Sequence, residues 1–440
     1  MTIHQPTIRP PVTPAEQRYL DLYTSVAERL PGARVASVRA WREAALDRFA
    51  GLGLPHRRVE EWKYTDLRAL MPEVPALSGV MPALAADVSV EAVTGPALAR
   101  LDAYRAVFVD GLFRADLSTV EGAPGISFHP LRAALEDEHD AVTVMDRFAP
   151  DSRDVIAALA EAFATDGVIL SVAPRAKLEK PIHLVFAGSA PHLSALLNII
   201  AIGDGADVSL IETHASAEGA QMLAFSQLRI GAGASVSHVR TNSGGKHLAS
   251  SSIHLGERTR YDPLQMTVDG ALTRAQLSIR FDGRDARCHY AGAMMLRGRS
   301  HADFTLVVEH AAEACESREL IKAVVDGHSR GVFQGKVVVE RGAQKTDGKQ
   351  MANALLLSDD AEFDSKPELE IFADDVVCGH GATAGQLDDD MLFYLRARGI
   401  PEVEARALLI AAFVGEALEK VENEALRAAL QEKANAWLTL

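Results

Sequence analysis

An internal repeat restricts the choice of folds more than any other feature of this chain. Ile202-Gly203-Asp204-Gly205-Ala206-Asp207-Val208-Ser209-Leu210-Ile211-Glu212-Thr213 returns about 28 residues later as Ile230-Gly231-Ala232-Gly233-Ala234-Ser235-Val236-Ser237-His238-Val239-Arg240-Thr241. Each copy reads as the end of one strand, a glycine turn and the start of another. A unit of that size cannot bury its own apolar face, so successive units must stack into a solenoid. Phe281-Asp282-Gly283, Leu296-Arg297-Gly298 and Glu340-Arg341-Gly342 close β-like runs in the same way without keeping the full pattern. A propeller needs four strands per blade and roughly 40 residues per repeat, which is too long. A doubly wound sheet needs a helix between successive strands. Between Val168 and Val377 only Ala311 to Ala323 has helical composition. The expected fold class is therefore mainly β, a right-handed parallel β-helix, with its ends capped against free strand edges.

Helical sequence flanks this core. Thr13-Pro14-Ala15-Glu16 reads as a capping box with proline at the first helical position, and Tyr19, Tyr23, Val26 and Leu30 follow at helical spacing up to Pro31-Gly32. Trp41, Ala45 and Phe49 mark a second helix ended by Gly51 and Gly53. Glu61-Trp62-Lys63-Tyr64-Thr65 reads as an amphipathic turn pinned onto the domain by its two aromatics. Met71 to Pro150 is mixed, with one expected strand at Ala106 to Asp110, and Val155, Ile156, Leu159 and Phe163 return to helical period. Beyond Thr383, Leu387, Met391 and Leu395 form one expected stripe, and Val403, Ala407, Ile410, Val414, Leu418 and Val421 form another. The expected organisation is residues 1–165 helical and mixed, 166–385 β-helix, and 386–440 a C-terminal helical domain.

Composition narrows the partners. A formal net charge of -15 over 440 residues disfavours nucleic acid, whose binders need a basic face. The three cysteines make neither a disulfide framework nor a zinc-finger spacing, which suits a reducing cytosol. Met1 to Pro14 lacks a signal-peptide pattern, and the most apolar runs are far shorter than the roughly 20 residues a membrane span needs. A cytoplasmic protein without membrane insertion is expected.

The candidate site lies where β-type sequence gives way to helical sequence, at Cys378-Gly379-His380-Gly381. A thiol and an imidazole two residues apart share one face of an extended backbone, and flanking glycines permit close approach of a metal, sulfide or partner backbone. His289 beside Cys288 points to the opposite face, a poorer joint ligand set, and most of the fifteen histidines read as surface or turn residues. Gly327-His328-Ser329-Arg330-Gly331 matches the G-x-S-x-G nucleophile elbow, but Val332 to Val339 reads as strand where the elbow requires a helix. A P-loop is absent from the sequence, so any ATP-driven work requires another chain. A carbohydrate-active β-helix enzyme is the alternative. It needs paired carboxylates on one solenoid face, and Asp374-Asp375 and Asp388 to Asp390 are the acidic runs nearest the site.

Several motifs together resemble the SufB/SufD family of iron-sulfur cluster assembly proteins, and within it the SufD branch. They are Glu61-Trp62-Lys63-Tyr64-Thr65, Ser329-Arg330-Gly331-Val332-Phe333-Gln334-Gly335, Gln344-Lys345-Thr346-Asp347, Lys366-Pro367-Glu368-Leu369-Glu370-Ile371, and Cys378 through Leu395. The resemblance spans nearly the whole chain. It implies a non-catalytic scaffold subunit that pairs with a SufB-like β-helix and docks a SufC-like ATPase through its C-terminal helices, with homodimer formation open to the isolated chain. It further implies that His380 and Cys378 bind a transient iron-sulfur cluster shared with SufB, His380 as principal ligand and Cys378 as second ligand or sulfur acceptor. Reduced flavin is implied for the complex only. Where SufD relatives often carry serine between the two ligands, this chain has Gly379.

Overall fold

The computed structural model describes residues 12–80, 88–148 and 150–438. The expected absence of a signal sequence rests largely on residues 1–11, outside that set. Two parallel sheets face each other across one apolar interior, and the chain passes alternately from one to the other. The front sheet runs from Tyr104–Val109 through Ile182–Gly188, the first halves of Asp207–Ile230 and Ser235–Leu255, then Arg260–Val268, Arg287–Leu296, Glu316–Val325, Asp347–Leu356 and Val377–Gly385. The back sheet runs from Asp166–Val172 through Leu193–Ile202 and the second halves of those two long strands, then Leu272–Phe281, His301–His310, Arg330–Val339 and Glu362–Ile371. This is the parallel β-helix that the repeat requires.

The repeat is realised as register. Ile202 pairs with Ile230 and Asp207 with Ser235, so the two sequence copies lie directly on each other. The turns stack as tightly as the strands. A Cβ on Gly231 would lie 2.7 Å from the Asp204 nitrogen, and one on Gly283 would lie 2.1 Å from the Glu257 nitrogen. Only glycine lets one turn settle onto the turn below it.

Ala311 to Ala323 is not helical. Glu316–Val325 is a front-sheet strand, entered through a turn at Ala314 with φ 57°. Its in-register bonds to two neighbouring strands outweigh an alanine-rich composition. The strand expected near Ala106 belongs to the solenoid as well, since it pairs in parallel with Ile182–Gly188.

Helices cover the outer faces. Pro14–Val26, capped by the Thr13–Glu16 box, packs with Ala36–Leu52 and the fully buried Val155–Phe163 helix against Leu193, Leu223, Leu248 and Leu272 of the back sheet. Glu402–Leu418 and Glu424–Leu438 cover the front sheet, burying Ile410, Val414, Leu418, Val421, Leu430 and Trp437 against Ile211, Val239, Met266 and Met295. The C-terminal stripe is thus spent on the flank of the β-helix rather than its end. Val403 lies outside it, exposed. In the Asp389–Ala397 helix the buried residue is Leu392, and Met391 of the expected stripe faces solvent.

The aromatic turn at Glu61 to Thr65 is a pin. Trp62 is buried with its ring 3.8 Å from the Arg274 guanidinium, Arg274 and Gln334 both donate to the Glu61 carbonyl, and Thr65 meets His301 and Asp303. Lys366 reaches Glu60 at 2.5 Å, and the Arg330 guanidinium lies 6.0 Å from the Tyr64 ring. Three motifs distant in sequence therefore form one contact, centred on an Arg274–Asp303 pair sealed from solvent. Trp62→Ala should cost about 3–5 kcal/mol through cavity formation and the lost guanidinium contact. The shift of a chemical denaturation midpoint measures it. A loss below about 1 kcal/mol, the scale of an ordinary surface change, would show that the turn does not hold the N-terminal layer.

Candidate functional site

The last coil of the solenoid is open. Glu362–Ile371 pairs with Arg330–Val339 and Val377–Gly385 pairs with Asp347–Leu356, and no other strand among the described residues pairs the free edge of either. Ile371, Phe372 and Val377 are exposed there. An unpaired edge flanked by apolar side chains is a template for another chain's strand.

Cys378 and His380 both lie on Val377–Gly385, paired with Gly348 and Gln350. Cys378 is half-buried and packs against the interior cluster. Its direction is fixed by Gly348, where a Cβ would sit 3.5 Å from Cys378 Sγ and 3.4 Å from Ser317 Oγ. Strand alternation puts His380 on that same inward face, at the exposed rim. Gly379 and Gly381 point outward: the first has open space above it, the second lies under Met351. Burial pushes the Cys378 thiol up, with the Gly348 backbone N–H opposing and the Asp347 charge adding to the rise. The resting sulfur is thus a thiol.

The other cysteines are placed differently. Cys288 is sealed inside, with His289 outside on Glu316 at 2.9 Å, so the opposite-face expectation holds for that pair. Cys315 is buried in a turn with Sγ 3.3 Å from the Gly283 carbonyl. No group of three or more potential metal-ligating side chains occurs among the described residues. Ser329 is buried and donates to the Asp326 carbonyl at 2.7 Å, and strand follows it, so no nucleophile elbow forms. Asp375 is paired with Lys345, and Asp388 caps the Asp389–Ala397 helix by accepting from the Asp390 and Met391 backbone N–H groups.

What the sequence reading missed is a strip of polar side chains inside the front sheet. Glu212, His214, His238 and Arg240 lie in it; His247, His301 and His310 are buried on the back sheet and His183 on the outer side of the front one, so these six histidines depart from the surface or turn placement expected of most. Glu212 accepts from His238 at 2.9 Å, from His214 at 3.0 Å and from two Arg240 nitrogens at 3.1 Å each. Burial alone would raise the Glu212 pKa, but Arg240 and the two imidazoles hold it well below the ordinary carboxylate range. Farther along, Tyr290 pairs in register with Glu319, Glu319 with Gln350, and Gln350 with His380. The strip thus runs toward the open coil. Alternating polar residues on a strand ordinarily mean a solvent face, which is why this pattern conceals an interior one.

Burial pushes the Glu319 carboxyl up to about 8, with Gln350 opposing. Below pH 4.5, its ordinary value, both folded and unfolded chains carry the proton and the residue costs nothing. Between there and about 8 the unfolded chain releases a proton that the folded one keeps, so stability falls as pH rises, by at most about 1.4 kcal/mol per pH unit. Above that window the decline from this group stops. Glu319→Gln should therefore flatten the fall of the thermal midpoint from pH 5 to pH 8. Parallel wild-type and variant curves would mean that Glu319 is ionised in the fold.

Comparison with known proteins agrees with this architecture. A family model described as "SUF system FeS cluster assembly, SufBD core domain" matches residues 185–413, and one for the "SufBD protein N-terminal region" matches residues 13–184. A SufBD family iron-sulfur cluster assembly protein of Synechocystis is 30% identical over 412 residues, covering 89% of each chain. The iron-sulfur cluster assembly protein SufD of Escherichia coli is 30% identical over 394 residues, covering 87% of this chain and 89% of its own. The SufD of Bacillus subtilis is 26% identical over 319 residues, covering 69% and 72%. With both family models together extending from the first helix into the C-terminal helical layer, the chain belongs to the SufBD family of iron-sulfur cluster assembly proteins.

Proposed function

We propose that this chain is a scaffold subunit of a cytoplasmic SUF iron-sulfur cluster assembly complex, of the SufD kind. Its open last coil pairs with a second, SufB-like β-helix, and Cys378 and His380 enter that interface as ligands of a nascent cluster. The observation that carries this reading is their location. A thiol and an imidazole share the inner face of a coil whose backbone edge no strand among the described residues pairs. A cluster ordinarily takes four ligands, and two are present here, so the partner's edge must supply the rest. An incompletely enclosed cluster is also one that can be handed on.

His380 is the principal ligand in this reading, and Cys378 a second ligand or sulfur acceptor. Because Cys378 rests as a thiol, a bound cation has to draw out its thiolate. The SufC-like ATPase docks at the Asp389–Ala397 helix and the start of the next, where Met391, Phe393, Tyr394 and Val403 are exposed. Without a partner, the same free edge can accept a second copy of the chain. The three sequence regions 1–165, 166–385 and 386–440 would then be an anchoring layer, the scaffold and the motor-docking layer.

Anaerobic isolation of the untagged chain from its own cell tests the proposal. The expected result is a complex containing a second β-helix chain, an ATPase subunit, and iron with acid-labile sulfide. Recovery of the chain free of both partners and of iron and sulfide, from cells engaged in cluster synthesis, would overturn it.

A further inference from the structure

Behind His380 stand three buried polar side chains. Tyr290, Glu319 and Gln350 are only 2%, 3% and 2% exposed. The Tyr290 hydroxyl, both Glu319 carboxyl oxygens and both polar atoms of the Gln350 amide have no hydrogen bond of normal geometry among the described residues. Each such group costs about 1–3 kcal/mol relative to a satisfied one. The same inward face carries Ile321, Ala323 and Val325 on Glu316–Val325, so apolar side chains fit the sheet. The polar ones also occupy consecutive rungs, about 4.8 Å apart, ending at His380.

Their chemistry is complementary in that order. A neutral imidazole has one N–H donor and one free nitrogen, and an amide has an acceptor at one corner and donors at the other. Gln350 is the rung directly beneath His380 and lies close enough to Glu319 to influence its proton. Room for the amide comes from Gly335, where a Cβ would lie 3.0 Å from Gln350 Nε2. A half-turn of the amide about its terminal bond exchanges oxygen and nitrogen without moving the chain. The side-chain carbonyl can therefore face the imidazole while the amide N–H donates to Glu319.

We propose that Gln350 is a positioning residue for His380: its side-chain carbonyl accepts the imidazole N–H and thereby fixes the tautomer whose free nitrogen faces the open rim. Glu319, one rung deeper, holds the other end of the amide. Histidines that bind metals are commonly oriented by such an acceptor, and removing it typically costs 10- to 100-fold in affinity. This inference rests on the reading of His380 as a ligand, so the test separates the two.

The full-length chain, labelled with ¹⁵N-histidine, reports the tautomer directly from ring-nitrogen shifts above the imidazole titration, and His380→Ala assigns the signal. Wild type should show one tautomer. Gln350→Leu, similar in volume and without polar atoms, should show an averaged pair. Gln350→Glu should keep one tautomer and move its N–H resonance downfield, because the acceptor becomes charged. An averaged wild-type signal, an unchanged tautomer in Gln350→Leu, or an unshifted N–H in Gln350→Glu overturns the proposal; the glutamate variant decides if the leucine variant does not fold. Titration with Co²⁺ alone, followed by thiolate charge-transfer absorption, should be about 10- to 100-fold weaker in Gln350→Leu. Equal Co²⁺ binding by wild type and His380→Ala would instead refute the ligand reading and leave the tautomer result standing.

Discussion

His380→Ala should abolish cluster formation in the complex reconstituted with its partner chains, while leaving this chain folded and its partners bound. The imidazole sits at the exposed rim of the last coil, so its loss opens no cavity in the core, and the cost to stability should not exceed about 1–3 kcal/mol, the scale of leaving the Gln350 carbonyl without its partner. Its functional consequence is far larger. If the interface supplies four ligands, two from each side, it retains three when His380 is lost, and the remaining thiol favours its protonated form. Cluster yield, read from visible absorption and acid-labile sulfide, should fall below about a tenth of wild type, on the scale of losing a metal ligand's supporting contacts. Cys378→Ala divides the two roles left for the sulfur. If Cys378 binds iron, the variant lowers iron and sulfide together. If it accepts sulfur, iron still binds and only sulfide incorporation falls. Wild-type cluster yield from His380→Ala, with the partners confirmed present, would remove the residue from the site.

The repeat at Ile202 and Ile230 was legible because stacking of identical turns demands glycine where one backbone meets another, as the 2.7 Å approach at Gly231 illustrates. The pairing of Cys378 with His380 was legible because strand alternation is strict, and their common face required no knowledge of the tertiary fold. The buried strip from Glu212 to Gln350 was not. A strand with polar residues at every second position presents the same pattern whether that face meets water or the inside of a solenoid. Only the stack of rungs reveals that Glu319 lies between Tyr290 and Gln350. Ala311 to Ala323 failed for the converse reason, since local composition was overruled by neighbours roughly 30 residues away in sequence and one rung away in space. The motif at Glu61 to Thr65 shows itself as a pin through its two aromatics, but its receptors at Arg274, Asp303 and Gln334 come from separate coils and carry no mark of that task in the sequence.

The C-terminal helices show the same limit, and their correction changes which experiment is informative. Periodicity found the stripe through Ile410, Val414, Leu418 and Val421, and the structure spends it on the front sheet. Deleting everything after Gly385 would therefore uncover Ile211, Val239, Met266 and Met295, so loss of ATPase binding could follow from damage to the solenoid. Point changes avoid this. Phe393 is 73% exposed and Val403 81%, with Met391 and Tyr394 beside Phe393 on one short helix whose end is set by Gly399 at φ 87°. The Arg398 guanidinium lies 4.4 Å from the Tyr394 ring. Apolar and aromatic groups held exposed on a helix, beside an arginine, have the composition of an interface centre. Phe393→Asp combined with Val403→Asp should leave the thermal midpoint within a few degrees of wild type, because neither side chain is part of a core. Each anchor that contributes about 2 kcal/mol to docking weakens it roughly 30-fold when lost, and together they should reduce ATPase affinity by more than about 100-fold in a calorimetric titration. Pairing with the SufB-like chain should persist, since the free edge at Val377–Gly385 is untouched. Undiminished ATPase affinity in the double variant would place the docking surface elsewhere on the chain.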